Sequence, residues 1–224
     1  QKKSNLLNPM IYGLLPGGKK IRSKLLVDVG KIFNINYYKL IQIGAAVECI
    51  HAYSLIHDDL PCMDNDQIRR GKPSTHIKFG ESTAVLAGNS LLTLAFEILS
   101  NPKTSTDPIV RLQLITTLSK AIGADGMVLG QLLDIEAENL RTPTDLNNII
   151  RLQTKKTGAL IEWSLQAGPL MAGKETDSFK RFAKLLGLAF QIRDDVLGIW
   201  GDTKITGKPV GSDILRKKKT YPIL

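Results

Sequence analysis

The sequence predicts an all-α protein, a single-domain bundle of helices. Apolar residues recur at spacings of three and four along most of the chain, which places them on one face of each helix. No segment shows the strict alternation of polar and apolar residues that is typical of a half-buried strand. The 224 residues can enclose one large core, and no stretch has the composition of an interdomain linker, so we predict one domain over residues 1–224.

Proline and glycine divide the predicted helices from one another. The first helix follows a glycine-rich loop at residues 16–18. A long, largely buried helix comes next, and it should end near Asp59 because Pro61 cannot continue it. Further breaks fall at prolines and glycines beyond it, and the helices that they separate are predicted over residues 81–99, 107–122, 126–139 and 145–171.

The chain carries a net charge of +9, which favours an anionic partner. Its basic residues gather around Lys19, Arg69 and Lys217, without the interleaved aromatic residues or zinc-ligand spacing of common nucleic-acid-binding modules. Small phosphorylated molecules are therefore a better match than nucleic acid.

The cysteines and the hydropathy pattern bear on location. Cys49 and Cys62 form neither a CxxC pair nor a disulfide framework. The most apolar run, residues 83–99, is interrupted by Asn89 and Glu97, which disfavours a membrane span. No signal peptide is visible, and we expect both ends of the chain to be incomplete. We therefore expect a soluble, cytoplasmic protein with no integral membrane association.

Four carboxylates fall within nine residues where the long helix should end. The carbonyls at a helix C-terminus carry partial negative charge, so Asp58 and Asp59 there call for a compensating cation. The break at Pro61 allows the chain to fold Asp64 back toward Asp58, where the two carboxylates could share a metal ion. Oxygen ligands without a nearby Cys or His pair suit Mg²⁺. The alternative is an acidic helix cap followed by a solvated loop.

Two arginines follow these acids in the run Arg69-Arg70-Gly71-Lys72-Pro73. Guanidinium groups beside a turn are suited to bidentate contacts with phosphate oxygens, so a metal and two arginines together indicate a diphosphate ligand. With these residues, the stretch 51–72 resembles the first aspartate-rich motif of the trans-isoprenyl diphosphate synthases, the polyprenyl synthetase family. The resemblance implies that Mg²⁺ is bound by Asp58, Asp59 and Asp64.

An earlier stretch, residues 17–22, is a glycine-rich loop that leads into a helix. Lys19 and Arg22 are expected one turn apart on one helix face, beside N-terminal amides that could cradle an anion; a simple turn is the alternative. The stretch resembles the GGKxxR motif of the family. This implies that four residues bind isopentenyl diphosphate, namely Lys19, Arg22, His51 and Arg70. Without the resemblance, His51 would be interpreted as a core histidine on an apolar helix.

Two motifs in the later helices also resemble the family. In the stretch 130–134, Gln131 and Asp134 share a helix face, where Asp134 could orient a cation or form only a solvated polar pair. This stretch is similar to the GQxxD motif. Lys156 and Thr157 precede a glycine that favours a local kink, and they resemble the KTG motif. That resemblance implies that Lys156 and Thr157 contact the allylic diphosphate.

A second acidic pair, Asp194 and Asp195, is expected at the end of another apolar helix. Placed opposite the first acidic cluster in a bundle, it would complete a paired metal site. The pair resembles the second DDxxD motif of the family, but Gly198 replaces the last Asp, and Asp202 could substitute through water. The resemblance implies metal binding by both aspartates and substrate contacts by three further residues, Gln191, Lys208 and Lys218.

The resemblance implies an isoprenoid synthase fold with a deep apolar cavity, a homodimer, and a chain that lacks its C-terminal helices. It also implies a Mg²⁺-dependent prenyltransferase that condenses isopentenyl diphosphate with dimethylallyl or geranyl diphosphate to give farnesyl diphosphate. Stabilisation of the leaving diphosphate is the expected chemistry, with no protein nucleophile and with the released diphosphate as the base. The residues expected to carry it are Asp58, Asp64, Arg69, Lys156, Asp194 and Lys208.

Product length is expected to depend on Tyr53 and Ser54, which precede Asp58 by five and four positions. Tyr53 lies about 7.5 Å along the helix axis from Asp58, where a growing prenyl chain would meet it; the alternative is an ordinary core aromatic. An aromatic residue here, with the insertion Pro61-Cys62, resembles bacterial family members that make the fifteen-carbon product. Three alternatives stay open: a geranylgeranyl diphosphate synthase, a non-catalytic partner subunit, and a terpene cyclase, in which the residues for isopentenyl diphosphate would have no purpose.

Overall fold

The structure is a computed structural model that describes residues 5–15, 17–139 and 145–201. These residues are mostly helical, which confirms the predicted all-α class. A π-helical turn, Thr154–Gly158, joins α8 to α9. The helices are α1 Leu7–Leu14, α2 Ile21–Ile32, α3 Tyr37–Asp58, α4 Thr75–Phe79, α5 Glu81–Ser100, α6 Pro108–Ile122, α7 Met127–Asn139, α8 Leu146–Gln153, α9 Ala159–Met171 and α10 Asp177–Trp200.

The chain packs as two compact units, Gln1–Leu112 and Gln113–Leu224. The first unit contains the glycine-rich loop and the first acidic cluster, and the second contains Lys156 and the second acidic pair. The single domain, the deep apolar cavity and the facing arrangement of the two acidic groups stay predictions.

α3 is the central helix of the first unit and packs against α2 and α5. Most of its apolar residues at helical spacing are buried, and Ile43 and Ile50 are fully so. Burial of one such side chain stabilises the fold by about 1.5–3 kcal/mol. The helix ends at Asp58, and Pro61 follows three residues later, which confirms the predicted end.

A short hairpin interrupts the helical pattern between α3 and α4. Its antiparallel strands are β1 Ile68–Arg69 and β2 Lys72–Pro73, with Arg69 opposite Lys72. Arg70 and Gly71 form the turn, and both have positive φ, 52° and 72°, as in a type I′ turn. The sequence did not predict these strands, because two residues are too few to show alternation.

The second unit contains a π-helical turn that ends at Gly158, where a local kink was predicted. Residues 146–171 are helical throughout, but five of them adopt the wider π-helical turn. Such turns are inserted into α-helices at some energetic cost and occur often at functional sites. α9 is anchored in the core by Trp163, whose Nε1 donates to Thr117 Oγ1 at 2.9 Å.

By length and composition alone, α3 and α5 could each cross a membrane. The same two helices pack against each other within the first unit, and core helices of soluble proteins also pass that test. Their apolar character is therefore weak evidence for a membrane span.

Candidate functional site

The loop after α3 folds back onto the helix end, as predicted. The backbone N–H of Asp64 donates to the carbonyl of Asp58 at 2.8 Å, and the N–H of Asp66 donates to the carbonyl of Asp59 at 3.1 Å. These bonds satisfy carbonyls that the helix itself leaves unpaired. They also hold Asp58 and Asp64, both partly exposed, next to each other along the backbone.

Asp59 differs from the other acids because it is buried and holds an arginine. Arg69 Nε lies 2.8 Å and 2.7 Å from the two carboxylate oxygens of Asp59. A second carboxylate, that of Asp66, lies 3.9 Å from Arg69 Nη2. Burial lowers the pKa of Arg69, but the hydrogen bonds and charge of Asp59 outweigh burial and raise the pKa overall. Both carboxylate oxygens of Asp59, which was predicted as a metal ligand, accept hydrogen bonds from Arg69.

Arg70, the residue after Arg69, contacts the glycine-rich loop. Its Nη1 donates to the carbonyl of Gly17 at 3.3 Å. Gly18 has a φ of +85°, a backbone conformation that favours glycine, and a Cβ there would lie 2.7 Å from Arg70 Nη2. Burial, and next the charge of Arg69, lower the pKa of Arg70.

His51, on α3, is subject to the charges of several basic residues. Burial lowers its pKa well below the ordinary value, and Arg22 and then Arg70 lower it further by repulsion. His51 is therefore neutral at neutral pH. Arg22, Arg70 and His51 come from three separate stretches of sequence, and the charges of both arginines act on His51.

Lys19 is placed differently from its predicted position. α2 begins at Ile21, so Lys19 lies in the loop before the helix, where it is exposed. It was expected one turn from Arg22 on the same helix face, and that geometry is wrong because Lys20 adopts a left-handed conformation, φ 48°. A residue in this conformation cannot continue the helix backward.

A pocket of about 220 Å³ opens beside Arg69 and Arg70, between α1, α3 and the hairpin. Tyr12, Leu55 and Ile56 form part of its apolar wall, and Arg69 and Arg70 line its polar side. Asp59, which follows α3 directly, also lines it.

In the second unit, Lys156 and Asp134 form an ion pair. The ammonium of Lys156, in the π-helical turn, donates to Asp134 Oδ2 from α7. Asp134 therefore orients a cation, one of the two interpretations of its motif. Gly130 allows this approach, since a Cβ there would lie 2.0 Å from the backbone nitrogen of Lys156. Thr157 lies in the same turn and is partly exposed.

The second acidic pair lies inside α10 rather than at its end. α10 runs on to Trp200, so Asp194 and Asp195 sit more than one turn before its C-terminus. The expected position at the helix end is therefore wrong: the helix continues through Gly198, a residue type that weakens a helix without breaking it. Asp194 is exposed, whereas Asp195 is buried and accepts a hydrogen bond from Gln191 Nε2 at 2.7 Å. Three predicted residues lie outside the described ones: Asp202, Lys208 and Lys218.

The two residues predicted to set product length occupy different environments on α3. Tyr53 is buried, and its ring meets that of His57 edge-on at 5.6 Å. Burial, and next the charge of Asp58, raise the pKa of Tyr53. Ser54 is partly exposed and donates its hydroxyl to the carbonyl of His51 at 3.0 Å.

Sequence reasoning missed Glu48, a buried acid on α3. Its carboxylate pairs with Lys20 Nζ at 3.3 Å and accepts a hydrogen bond from the backbone N–H of Ser23 at 3.3 Å. A single carboxylate in an otherwise apolar stretch of helix was the signal that could have identified it.

Comparison with known proteins identifies the class to which this fold and site belong. The polyprenyl synthetase family model matches residues 3–224, and the chain belongs to that family. It is 45% identical over 226 residues to farnesyl diphosphate synthase of Escherichia coli, covering 98% of this chain and 74% of the relative. It is 46% identical over 225 residues to farnesyl diphosphate synthase of Geobacillus stearothermophilus, covering 99% and 75%.

A solved structure is also similar to the chain as a whole. It is the geranyltransferase of Helicobacter pylori complexed with magnesium and isoprenyl diphosphate. The TM-score is 0.89 at 35% identity, over 100% of this chain and 75% of that one.

Proposed function

We propose that this chain is a Mg²⁺-dependent prenyltransferase that condenses isopentenyl diphosphate with dimethylallyl and geranyl diphosphate to give farnesyl diphosphate. The observation that carries the proposal is the contact of Arg70 with the glycine-rich loop, together with the charges of Arg22 and Arg70 that act on His51. Two guanidiniums and a neutral imidazole offer many donors and no competing acceptor charge, which suits a diphosphate. The relatives named farnesyl diphosphate synthase support the choice of reaction.

The residues after α3 fit a magnesium ion. Asp58 and Asp64 are carboxylates, partly exposed and linked through their backbones by a 2.8 Å hydrogen bond. One or two carboxylates plus substrate phosphates are the usual ligands of Mg²⁺. Bound there, the ion would supply positive charge to the diphosphate that leaves the allylic substrate. We assign Asp194 and Asp195 to the same task from α10, and Asp59 to the support of Arg69.

The cations around His51 would hold isopentenyl diphosphate. Arg22 and Arg70 would bind its phosphate oxygens, and Lys19, exposed in the loop, would reach the same group. His51, being neutral, would donate a hydrogen bond without adding repulsion to the two arginines. Fixing the diphosphate in this way would orient the double bond toward the allylic carbon. In a well-oriented reaction, such positioning lowers the activation barrier by roughly 7 kcal/mol or more.

The leaving diphosphate would be stabilised by fixed cations. Arg69 is held by Asp59, and Lys156 is held by Asp134. Both side chains are therefore already ordered before the substrate binds. We assign to the same allylic diphosphate the polar residues Thr157 and Gln191 and the late lysines Lys208 and Lys218. No protein nucleophile is required, and the released diphosphate would take the final proton.

We also propose a homodimer in the cytoplasm. Apolar side chains on α5 and α6 are exposed in the single chain, among them Leu86, Ile109 and Leu112. Exposed apolar surface of this kind favours association. Light scattering of the purified protein would measure the assembly directly, and a monomeric mass would contradict the dimer.

The product is assigned to fifteen carbons, with geranylgeranyl diphosphate as the second candidate. Buried Tyr53, one to two turns before Asp58, supports the shorter product. A non-catalytic subunit is the alternative suggested by Gly198, and Asp58, Asp64 and the two arginines argue against it.

The test is turnover of the purified protein with Mg²⁺, isopentenyl diphosphate and dimethylallyl diphosphate, followed by mass spectrometry of the prenyl products. We expect a fifteen-carbon diphosphate, no product when Mg²⁺ is chelated, and at least about a hundredfold lower rate for Asp58→Asn. Asp28→Asn, which removes an exposed carboxylate from α2, is the matched control and should behave like the wild type. Absence of any condensation product would refute the proposal, and a wild-type rate for Asp58→Asn would refute the metal assignment.

A further inference from the structure

The N-terminus of α2 has no cap from its own sequence. Helices usually begin after Ser, Thr, Asp or Asn, whose side chain accepts a hydrogen bond from the second or third helical N–H. Here the preceding residue is Lys20, which is left-handed, φ 48° and ψ 38°, and makes no side-chain cap. The third N–H of the helix, that of Ser23, therefore needs an acceptor from elsewhere.

Glu48 on α3 supplies that acceptor. Its Oε1 lies 3.3 Å from the backbone nitrogen of Ser23, and its Oε2 lies 3.3 Å from Lys20 Nζ. Only 9% of Glu48 is exposed, so its carboxylate is largely shielded from bulk water, whereas Lys20 stays partly exposed. A carboxylate is also favoured at this position by the partial positive charge of a helix N-terminus.

The same contacts fix the geometry of the loop. Lys20 Nζ also donates to the carbonyl of Leu14 at 2.9 Å, so the side chain that Glu48 holds ties the end of α1 to the start of α2. α2 and α3 approach closely here, since a Cβ on Gly44 would lie 3.3 Å from Ser23 Cβ. Gly44 is one turn before Glu48 on α3.

Glu48 thereby links Arg22 on α2 with His51 on α3. Arg22 is the residue before Ser23, and the backbone N–H of Ser23 donates a hydrogen bond to Glu48. His51 follows Glu48 by one turn of α3 and shares its face. The negative charge of Glu48 also acts on Arg70, where it opposes the repulsion from Arg69.

We infer that Glu48 is a positioning residue for isopentenyl diphosphate: it caps α2 from α3 and so sets Arg22 and the glycine-rich loop against His51. The inference rests on the proposed function, because it assigns Glu48 to the isopentenyl site of that reaction. Glu48 does not touch the substrate; it acts through the residues that do.

The test compares the kinetics of Glu48→Gln, Glu48→Ala and the wild type with each substrate varied in turn. Glu48→Ala should raise KM for isopentenyl diphosphate about tenfold or more, with KM for geranyl diphosphate and kcat within about twofold. Glu48→Gln keeps an oxygen for the Ser23 N–H but loses the charge. Its KM for isopentenyl diphosphate should therefore lie between those of the wild type and Glu48→Ala. Asp28→Asn, a charge loss on an exposed part of α2, is the matched control.

Hydrogen exchange of the Ser23 amide provides a readout separate from activity. It should be fastest in Glu48→Ala and intermediate in Glu48→Gln. An unchanged KM for isopentenyl diphosphate in both variants would overturn the inference. Equal losses for both substrates, with a lower unfolding temperature, would also overturn it by showing a general structural role. Wild-type protein that makes no prenyl product at all would instead refute the proposed function.

Discussion

Arg69 donates from one nitrogen to both carboxylate oxygens of Asp59, at 2.8 Å and 2.7 Å. Asp59 is 2% exposed and is the residue immediately after α3, whereas Arg69 begins the turn of the hairpin. The pair therefore fixes the position of the hairpin relative to the end of the helix. Because the turn residue Arg70 follows directly, the same pair also aims the neighbouring guanidinium at the glycine-rich loop.

Asp59→Asn should destabilise the protein, because it leaves the charge of Arg69 without its buried partner. We expect the free energy of unfolding to fall by about 3 kcal/mol, and KM for the allylic substrate to rise. Asp66→Asn removes the more distant carboxylate, 3.9 Å from Arg69, and should cost less than about 1 kcal/mol. Urea denaturation measures the free energy of unfolding of both variants. Equal losses in the two would contradict the special role of Asp59.

Arg70→Ala should weaken isopentenyl diphosphate more than the allylic substrate. A charge-assisted hydrogen bond contributes about 1.5–3 kcal/mol, so KM for isopentenyl diphosphate should rise about tenfold or more. Arg181→Ala, which removes an exposed guanidinium from α10, is the control. Steady-state kinetics with each substrate varied would reveal the difference, and equal losses for both substrates would refute the assignment of Arg70.

His51 should make the stability of the protein depend on pH. Its pKa in the folded state is lowered below the ordinary value, which is about 6.5. Above pH about 6.5 the group is neutral in both states, but at lower pH the unfolded chain takes up a proton that the folded protein does not. The free energy of unfolding should therefore fall as the pH drops below about 6.5.

His51→Gln should remove this contribution. Urea denaturation at pH 7.5 and pH 5.5, chosen as roughly one unit on either side of the ordinary pKa, should show a smaller loss for the variant than for the wild type. The same loss in both proteins would show that His51 does not cause it.

Gly130→Ala should disrupt the contact between α7 and the π-helical turn. The new Cβ would lie 2.0 Å from the nitrogen and 2.4 Å from the Cα of Lys156, and backbone atoms cannot move aside as a flexible side chain can. We expect a loss of at least about 1–3 kcal/mol in the free energy of unfolding. KM for the allylic diphosphate should also rise, because Lys156 is displaced.

Gly158→Ala is the matched control, two residues from Lys156. Its Cβ would meet nothing closer than 3.6 Å, and alanine favours helix over glycine by up to about 1 kcal/mol. It should therefore be neutral or stabilising. Similar thermal unfolding curves for the two variants would contradict the packing argument.

Tyr53→Ala should lengthen the prenyl product if the ring forms the floor of the apolar cavity. Truncation of a buried aromatic leaves a void that an apolar chain can occupy, and it costs about 3–5 kcal/mol of stability. Mass spectrometry of products from a folded variant decides the point. An unchanged distribution would show that Tyr53 is a core residue packed on His57 and that the floor lies elsewhere.

Much of the fold could be predicted from local pattern. Apolar spacing located the helices, and Pro61 located the end of α3, because periodicity and proline act within a few residues of chain. The same local logic failed at α10, where Asp194 and Asp195 were expected at the helix end although the helix continues to Trp200. It also gave no sign of the hairpin at Arg69, whose strands are two residues long.

The charged residues that could bind a diphosphate, and the motifs in which they occur, can be read from the chain alone. Their partners become visible only in the folded protein: Asp59 holds Arg69, Asp134 holds Lys156, and Glu48 caps α2. Helical periodicity is a property of one segment, whereas an ion pair or a cap supplied by another helix depends on how two segments approach. Residues ten, twenty-two and twenty-five positions apart carry no mutual spacing rule that a sequence could display.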